Sequence, residues 1–194
     1  MRERRNVVIL DLDDTLGNFR DAACNAFNKK YNKQHTFKEW EHHLIEQLYG
    51  ITKEKFISNI IELNILENIE PHEEVVEFTK KLKDNGYMVI VLTARSWHPE
   101  AASITHNWLI QHNISYTCIS LCDVTDSKAD LLYDIEKTFG KIAFVVDDSS
   151  WQLENYLKTD ISNVVYIYDM PWNKDKLLDI LGGKRISNLM EIVL

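Results

Sequence analysis

The sequence has no long apolar run and few cysteines, and both shortages narrow the classes of protein it can represent. No stretch approaches the roughly 20 consecutive apolar residues that a membrane-spanning helix needs, so we expect no membrane segment. The apolar stretch in the basic N-terminus, "MRERRNVVIL", is too short for a signal peptide. The three cysteines, Cys24, Cys118 and Cys122, are scattered and odd in number, which favours buried thiols over a disulfide framework. We therefore expect a cytoplasmic protein.

Basic residues are outnumbered as well. The chain has 22 lysines and arginines against 30 aspartates and glutamates, which gives a formal net charge of −8. Proteins that bind long nucleic acid usually present a basic surface, because counterion release from the phosphates drives that binding. The acidic balance therefore argues against a broad face for duplex nucleic acid. A few local cations would still suffice for the phosphate of a small substrate.

The 194 residues, 45% of them hydrophobic, suit one compact domain with its own core. Apolar runs of strand character alternate with amphipathic stretches of helical period, such as "PHEEVVEFTKKLKDNG", which opens on Pro71 and closes on Gly86. The runs span residues 6–11, 87–93, 114–121, 141–148 and 163–168. Their continuous apolar character is typical of strands covered on both faces. The alternation predicts an α/β fold with a doubly wound, mostly parallel sheet.

Residues 17–70 interrupt this alternation. They contain no convincing strand but do contain helix starts: Thr36 with Glu39 three positions later forms a capping-box pattern, and Thr52 precedes "KEKFISNIIELN". We interpret 17–70 as a helical insert after the first strand, with residues 1–16 and 71–194 forming the core domain. Such an insert would lie over the C-terminal ends of the strands, where open α/β sheets bind ligands.

Polar side chains follow four of the predicted strands and can therefore converge at one edge of the sheet. They are Asp11 and Asp13 in "DLDDT", Thr93 in "LTAR", Lys128 in "DSKAD", and Asp147 and Asp148 in "VVDDSS". Phosphoryl transfer needs a carboxylate nucleophile and a second carboxylate that handles a proton. It also needs a hard divalent cation, and a hydroxyl and an ammonium that hold the phosphate oxygens. The set supplies each of these parts.

In their order along the chain, these four motifs resemble those of the haloacid dehalogenase superfamily phosphatases, over about residues 6–170. The insert lies where that superfamily carries its first type of cap. The resemblance implies a Rossmann-type core, an aspartyl-phosphate intermediate and Mg²⁺ as cofactor. It implies that Asp11 is the nucleophile and a metal ligand, and that Asp13 is the general acid/base with its backbone carbonyl on the metal. It implies that Thr93, Ala94 and Lys128 bind the phosphate. Asp147 would be a direct metal ligand, and Asp148 would act through water or orient the other ligands. Receiver domains differ, because their lysine comes after the acidic residues.

Two relatives resemble the chain more finely. The 5′(3′)-deoxyribonucleotidases share the helical insert, the "DD" pair and a late stretch like "MPWN"; the phosphatase domains of polynucleotide kinase-phosphatases share an "LTAR"-like motif. No Walker-type glycine-rich loop is present, so a kinase half is absent from this chain. We expect a Mg²⁺-dependent phosphatase acting on a nucleoside or deoxynucleoside monophosphate. The alternatives are a 3′-phosphatase of nucleic-acid ends, a sugar-phosphate phosphatase, and a non-catalytic protein that binds a phosphorylated ligand.

The sequence gives weaker signals for the residues that contact the rest of the substrate. Phe19 is the aromatic residue nearest the carboxylate motif, and Arg95 is a candidate for substrate contact or, equally, for a surface ion pair. Most aromatic residues of the insert are expected to pack within it. Trp97, Trp172 and His98 follow strand ends and could approach the site, whereas the adjacent His42 and His43 are expected to be solvated. For Asp14 we expect a loop or capping role. The oligomeric state is not predicted.

Overall fold

The computed structural model describes residues 6–40, 45–160 and 164–194, and in them six strands form one parallel sheet. The strands are β1 (Val7–Leu10), β2 (Met88–Thr93), β3 (Cys118–Leu121), β4 (Ile142–Asp147), β5 (Val165–Tyr168) and β6 (Lys184–Ile186). Their order in the sheet is β3-β2-β1-β4-β5-β6, so the order reverses between β1 and β4. The predicted doubly wound α/β fold is confirmed.

Helices connect successive strands, because parallel strands need crossover connections. They are α1 (Phe19–Tyr31), α2 (Ile45–Tyr49), α3 (Lys53–Glu62), α4 (Val75–Asp84), α5 (Ala101–Gln111), α6 (Leu132–Phe139), α7 (Ser150–Leu157) and α8 (Lys176–Ile180). Short 3₁₀ turns lie at Phe37–Glu39, Ile65–Glu67, Lys128–Leu131, Pro171–Asn173 and Leu189–Glu191. Among the described residues, no helix is both long enough and apolar enough to span a bilayer.

Strand β1 is the centre of the sheet and of both hydrophobic cores. All four of its residues are fully buried, and it pairs in parallel with β2 on one side and β4 on the other. Val8 and Leu10 face one core, while Val7 and Ile9 face the other, because successive side chains of a strand point to opposite faces. The apolar run at residues 6–11 is continuous because the strand is covered on both faces, as the sequence pattern predicted.

The sheet differs from the predicted one at its two edges. The edge strand β6 has the sequence "KRI" and offers no apolar run, so the pattern did not predict it. Strand β3, on the opposite edge, starts at Cys118 instead of residue 114, and its four residues are only half-buried. Similarly, α4 starts at Val75 and not at Pro71, which forms an isolated antiparallel bridge with Gly17.

The segment from residue 17 to residue 70 is helical and without strands in its described parts, 17–40 and 45–70. The Thr52 hydroxyl caps α3 by accepting the Lys55 N–H at 3.2 Å, as predicted. The Glu39 carboxylate accepts the Thr36 N–H at 2.8 Å, but the turn that follows Thr36 is a short 3₁₀ turn. That 17–70 constitutes a separate cap domain stays a prediction.

Aromatic rings pack against one another inside this segment. The ring of Phe27 meets those of Tyr31, Tyr49 and Phe56 edge-on, with centroids 6.2, 5.3 and 5.6 Å apart. Edge-to-face contacts of this kind stabilise a core beyond the area they bury. These contacts join α1, α2 and α3, and they continue into the hydrophobic core on one face of the sheet.

Gly17 lies where the chain leaves the carboxylate motif, and the space around it admits no side chain. A Cβ at this position would lie 2.7 Å from Ile69 Cγ2 and 2.9 Å from Trp108 Cζ2. Trp108 cannot easily retreat, because its indole N–H donates to the Ile69 carbonyl at 2.7 Å. The close approach of these three residues fixes the point where the helical segment departs from the sheet.

Gly17→Ala should therefore lower the free energy of unfolding by about 1–3 kcal/mol through overpacking, as measured by urea denaturation. Ile69→Ala removes the nearest obstructing methyl group, so the double variant should lose less stability than the sum of the two single losses. Strict additivity, or an unchanged urea midpoint for Gly17→Ala, would contradict the packing described.

Candidate active site

An acidic cluster forms where β1 and β4 end side by side. Asp11 directly follows β1 and its N–H donates to the Val146 carbonyl at 2.9 Å, which ties the end of β1 to β4. Asp147 is the last residue of β4, and Asp148 follows it. The three carboxylates of Asp11, Asp147 and Asp148 are buried, and an oxygen atom from each lies within 4.8 Å of the others. The expected convergence of the first and fourth motifs is thus present in the structure.

Lys128 joins two of these carboxylates. Its ammonium is ion-paired with Asp11 and lies 2.8 Å from Asp147 Oδ2, and the side chain is almost completely buried. Its backbone N–H donates to Gln152 Oε1 at 2.9 Å, and the Gln152 side chain in turn donates from Nε2 to the Asp126 carbonyl. Gln152 of α7 therefore holds the turn that carries Lys128 against the end of β4.

The charges of this cluster are not balanced by the protein itself. Burial raises the pKa of Asp11 well above its usual range, with Lys128 opposing that effect, and burial together with Asp14 and Asp147 raises the pKa of Asp148 to about 7. Burial disfavours the charged form of Lys128, but Asp11 and Asp147 hold its pKa well above the usual value. The ammonium of Lys128 thus pairs with Asp11 and Asp147, while Arg20 is the cation that lowers the pKa of Asp148. This set of hard oxygen donors fits a divalent cation such as Mg²⁺.

The turn after β1 presents Asp13 and Asp14 in different directions. The N–H groups of Leu16 and Gly17 both donate to the Leu12 carbonyl at 2.9 Å, which closes the turn. Asp14 has φ = 65°, a left-handed conformation that aspartate tolerates better than most residues. Its carboxylate accepts the Arg20 N–H at 2.8 Å and pairs with Arg20 Nε at 3.0 Å. Asp14 therefore caps α1, in keeping with the loop or capping role expected for it.

Arg95 donates hydrogen bonds to both carboxylate oxygens of Asp13. Arg95 Nε lies 2.8 Å from Oδ2 and Nη2 lies 2.5 Å from Oδ1, while Thr93 Oγ1 is 3.5 Å from Oδ2. Arg95 is only 1% exposed, so the alternative of a surface ion pair is wrong. Its guanidinium lies behind Asp13 and is not part of the wall of the cleft described below. The "LTAR" pattern located Arg95 near the site but gave no signal for its partner.

Asp148 is fixed by residues from two other segments. The Trp172 indole donates to Oδ2 at 2.7 Å, the Thr15 hydroxyl donates to Oδ1 at 3.3 Å, and the Asn173 amide donates to the backbone carbonyl of Asp148 at 2.8 Å. Trp172 was predicted only to approach the site; it is buried behind Asp148. His98 is also buried, and its Nδ1 accepts the Glu100 N–H at 3.0 Å in a local turn. His42 and His43 lie outside the described residues.

A cleft of about 430 Å³ opens above the acidic cluster. Its floor includes the sequence-predicted residues Asp11, Asp13, Thr93, Ala94, Lys128 and Asp148. Its rim is apolar, with Phe19 and Phe56 from the helical segment, Val124 from the loop after β3 and Trp151 from the start of α7. Phe19 was predicted at this position, whereas Val124 and Trp151 were not. The position of Trp151 in the first helical turn after "DDSS" was a feature of the sequence that could have indicated its place at the rim.

Comparisons with known proteins found a matching family and solved structures of similar fold. A model of the family described as "5' nucleotidase, deoxy (Pyrimidine), cytosolic type C protein" matches residues 5–176. A Bacillus cereus protein provisionally named a nucleotidase is 29% identical over 110 residues, which cover 52% of this chain. The match spans 56% of that relative's own length.

Solved structures resemble the chain along almost its whole length. A haloacid dehalogenase-like family hydrolase from Streptococcus pneumoniae is similar with a TM-score of 0.67 at 14% identity, covering 96% of both chains. A predicted phosphatase from Clostridium acetobutylicum is similar with a TM-score of 0.68 at 15% identity, covering 97% of this chain and 96% of the other. At these identities the likeness shows a haloacid dehalogenase-like fold and nothing finer.

Lys128→Met should destabilise the protein strongly in the presence of a chelator. Removing the ammonium leaves Asp11 and Asp147 buried without compensation, so urea denaturation should show a loss of about 3 kcal/mol or more. Excess MgCl₂ should restore part of that loss, because a bound cation replaces the missing charge.

Lys158→Met is the matched control, since Lys158, the residue directly after α7, forms an exposed pair with Glu154 in the last turns of that helix. It should cost less than about 0.5 kcal/mol. Equal losses for the two variants would contradict the electrostatic role given to Lys128.

Proposed function

The chain belongs to the family of 5' nucleotidase, deoxy (Pyrimidine), cytosolic type C proteins, and from this we propose that it is a Mg²⁺-dependent phosphatase of nucleoside or deoxynucleoside monophosphates. The observation that carries the proposal is the convergence of Asp11, Asp13, Thr93 and Lys128 on one cleft beside two further carboxylates. The family's name also supports a cytosolic location. We propose further that residues 17–70 act as a cap, since Phe19, Arg20 and Phe56 from that segment line the cleft.

In the first step, a carboxylate oxygen of Asp11 attacks the phosphorus atom, and the bond from phosphorus to the leaving oxygen breaks. Asp13 gives its proton to that oxygen, so the nucleoside departs with a free hydroxyl. In the structure both Asp13 oxygens accept from Arg95, so one of them must leave that contact before Asp13 can carry the proton to the leaving oxygen. The enzyme then carries the phosphoryl group as a mixed anhydride on Asp11.

In the second step, Asp13 takes a proton from water as the water oxygen attacks phosphorus. The bond between phosphorus and Asp11 breaks, which releases inorganic phosphate and regenerates the Asp11 carboxylate. The Thr93 hydroxyl, the Ala94 backbone N–H and the Lys128 ammonium hold the phosphate oxygens as charge develops on them. Asp11, Asp147, Asp148 and the Asp13 carbonyl would hold Mg²⁺, whose charge offsets the repulsion between the carboxylates and the phosphate.

The charge of the cleft favours a substrate with one phosphate. Among the described residues that line it, the cations are Lys128 and Arg20, and both are already paired with carboxylates. A second phosphate, or the backbone of a nucleic acid, would therefore find no unpaired cation among these lining residues. The apolar rim instead suits an uncharged planar base, which gains from stacking on aromatic side chains. These features support a nucleoside monophosphate over a nucleic-acid end or a polar sugar phosphate.

Asp11→Asn should reduce phosphate release by about 1,000-fold or more, because the amide cannot serve as the nucleophile. The assay is release of inorganic phosphate from nucleoside monophosphates, a 3′-phosphorylated oligonucleotide and sugar phosphates, with Mg²⁺ present. Asp130→Asn, at an exposed position in the turn that carries Lys128, should keep wild-type activity. Turnover of sugar phosphates or of the oligonucleotide alone would refute the proposed substrate, and inactivity on every ester would favour a non-catalytic binding protein.

Trp151→Ala should raise KM for nucleoside monophosphates about 10-fold, since stacking of a base on an aromatic side chain contributes about 1–3 kcal/mol. Trp151 is 43% exposed at the rim, so its removal leaves no buried cavity. KM for glycerol phosphate, which has no ring to stack, should stay unchanged. An equal rise for both substrates would argue against a base-binding rim.

A further inference from the structure

We propose that Trp172 is a positioning residue for the metal ligand Asp148, and that Arg20 locks the Trp172 indole in place. The inference rests on the proposed function, because it takes Asp148 as part of a Mg²⁺ site. Trp172 lies in the "MPWN" stretch and Arg20 in α1, and both are outside the four motifs that carry the proposed chemistry. The contact chain runs from the helical segment through Arg20 and Trp172 to the acidic cluster.

The Trp172 indole is aimed at Asp148 by its only polar atom. Its N–H donates to Asp148 Oδ2 at 2.7 Å, and the whole residue is 9% exposed. An indole donates one hydrogen bond and accepts none, so the hydrogen-bonding capacity of this side chain is used entirely on the Asp148 carboxylate. Thr15 donates to the other oxygen at 3.3 Å. Both oxygens are oriented, and each keeps a lone pair that can face a cation.

The Arg20 guanidinium covers one face of the Trp172 indole. Its guanidinium carbon lies 3.5 Å from the centroid of the Trp172 ring, which is a stacked cation–π contact. The guanidinium is itself held by Asp14 at 3.0 Å and by the Trp40 carbonyl at 3.1 Å. Since Arg20 is also buried, the indole cannot swing away from Asp148 unless the guanidinium moves as well.

The backbone behind Trp172 is pinned to the sheet. The Asn173 amide donates to the carbonyls of Asp148 and Tyr168 at 2.8 and 2.7 Å, which ties the turn Pro171–Asn173 to the ends of β4 and β5. Arg185 of the edge strand β6 donates to the Asn173 carbonyl and to its side-chain oxygen, both at 3.0 Å. The turn is therefore fixed from both sides, which gives Trp172 one orientation.

This arrangement differs from ordinary core packing in a way that can be measured. Packing requires only the volume and the ring of Trp172, whereas positioning requires its N–H. Partners that orient a metal ligand typically change metal affinity about 10–100-fold when they are removed. Because Arg20 also contacts the Trp40 carbonyl, the affinity for the metal should depend on contacts made by the helical segment.

The test is Trp172→Phe, which keeps an aromatic ring under Arg20 and removes the N–H donor. Calorimetric titration of the substrate-free protein with MgCl₂ should show a dissociation constant raised about 10-fold or more. Trp151→Phe is the matched control; Trp151 lines the same cleft and does not bond to Asp148, so the dissociation constant should not change. Arg20→Lys, which keeps the charge and loses the planar stack, should raise the constant by a smaller factor.

A dissociation constant for Trp172→Phe within about twofold of the wild-type value would overturn the positioning role. So would a loss of affinity in Trp172→Phe that Trp151→Phe reproduces. If Trp172→Phe does not fold, the Arg20→Lys titration decides, and an unchanged constant for it overturns the proposal. Failure of the proposed function has a different signature, because the wild-type protein would then bind no Mg²⁺ in the same titration.

Discussion

The structure depends on one buried ammonium, that of Lys128, which pairs with two of the three buried carboxylates at the adjoining ends of β1 and β4. The repulsion among Asp11, Asp147 and Asp148 is tolerable only because the sheet brings Lys128 between two of them and leaves room for a further cation. The rest of the fold serves this arrangement. Strand β1 is buried on both faces, so its C-terminal end has one position, and the reversal of strand order between β1 and β4 opens the crevice beside it.

The cations around the site are each committed to a carboxylate. Lys128 pairs with Asp11 and Asp147, Arg95 holds Asp13, and Arg20 holds Asp14. A phosphate entering the cleft therefore meets a surface whose positive charge is already engaged. This explains in physical terms why a divalent cation belongs in the proposed function, and why one phosphate suits the cleft better than several.

The buried strands and the residues of the four motifs follow from local patterns and were accessible to prediction, whereas the order of the strands in the sheet was not predicted. Apolar runs that end in Asp11, Thr93 and Asp147 indicate both buried strands and the edge at which they end. The partnership of Arg20 with Trp172, and that of Arg95 with Asp13, depend on side chains that meet only after the whole chain has folded. The short edge strand β6, with its sequence "KRI", has no pattern of its own and exists because β5 offers it a partner.

The central claim is that Asp11 forms a covalent phosphoryl intermediate, and the most direct measurement is to trap it. Asp13→Asn should slow the hydrolytic step that needs a general base, while p-nitrophenyl phosphate, whose leaving group needs no proton, still reacts. After an acid quench, mass spectrometry should find one phosphoryl group on the peptide that contains Asp11. A phosphoryl group on any other residue would contradict this mechanism. So would steady release of phosphate while the protein itself carries no phosphoryl group.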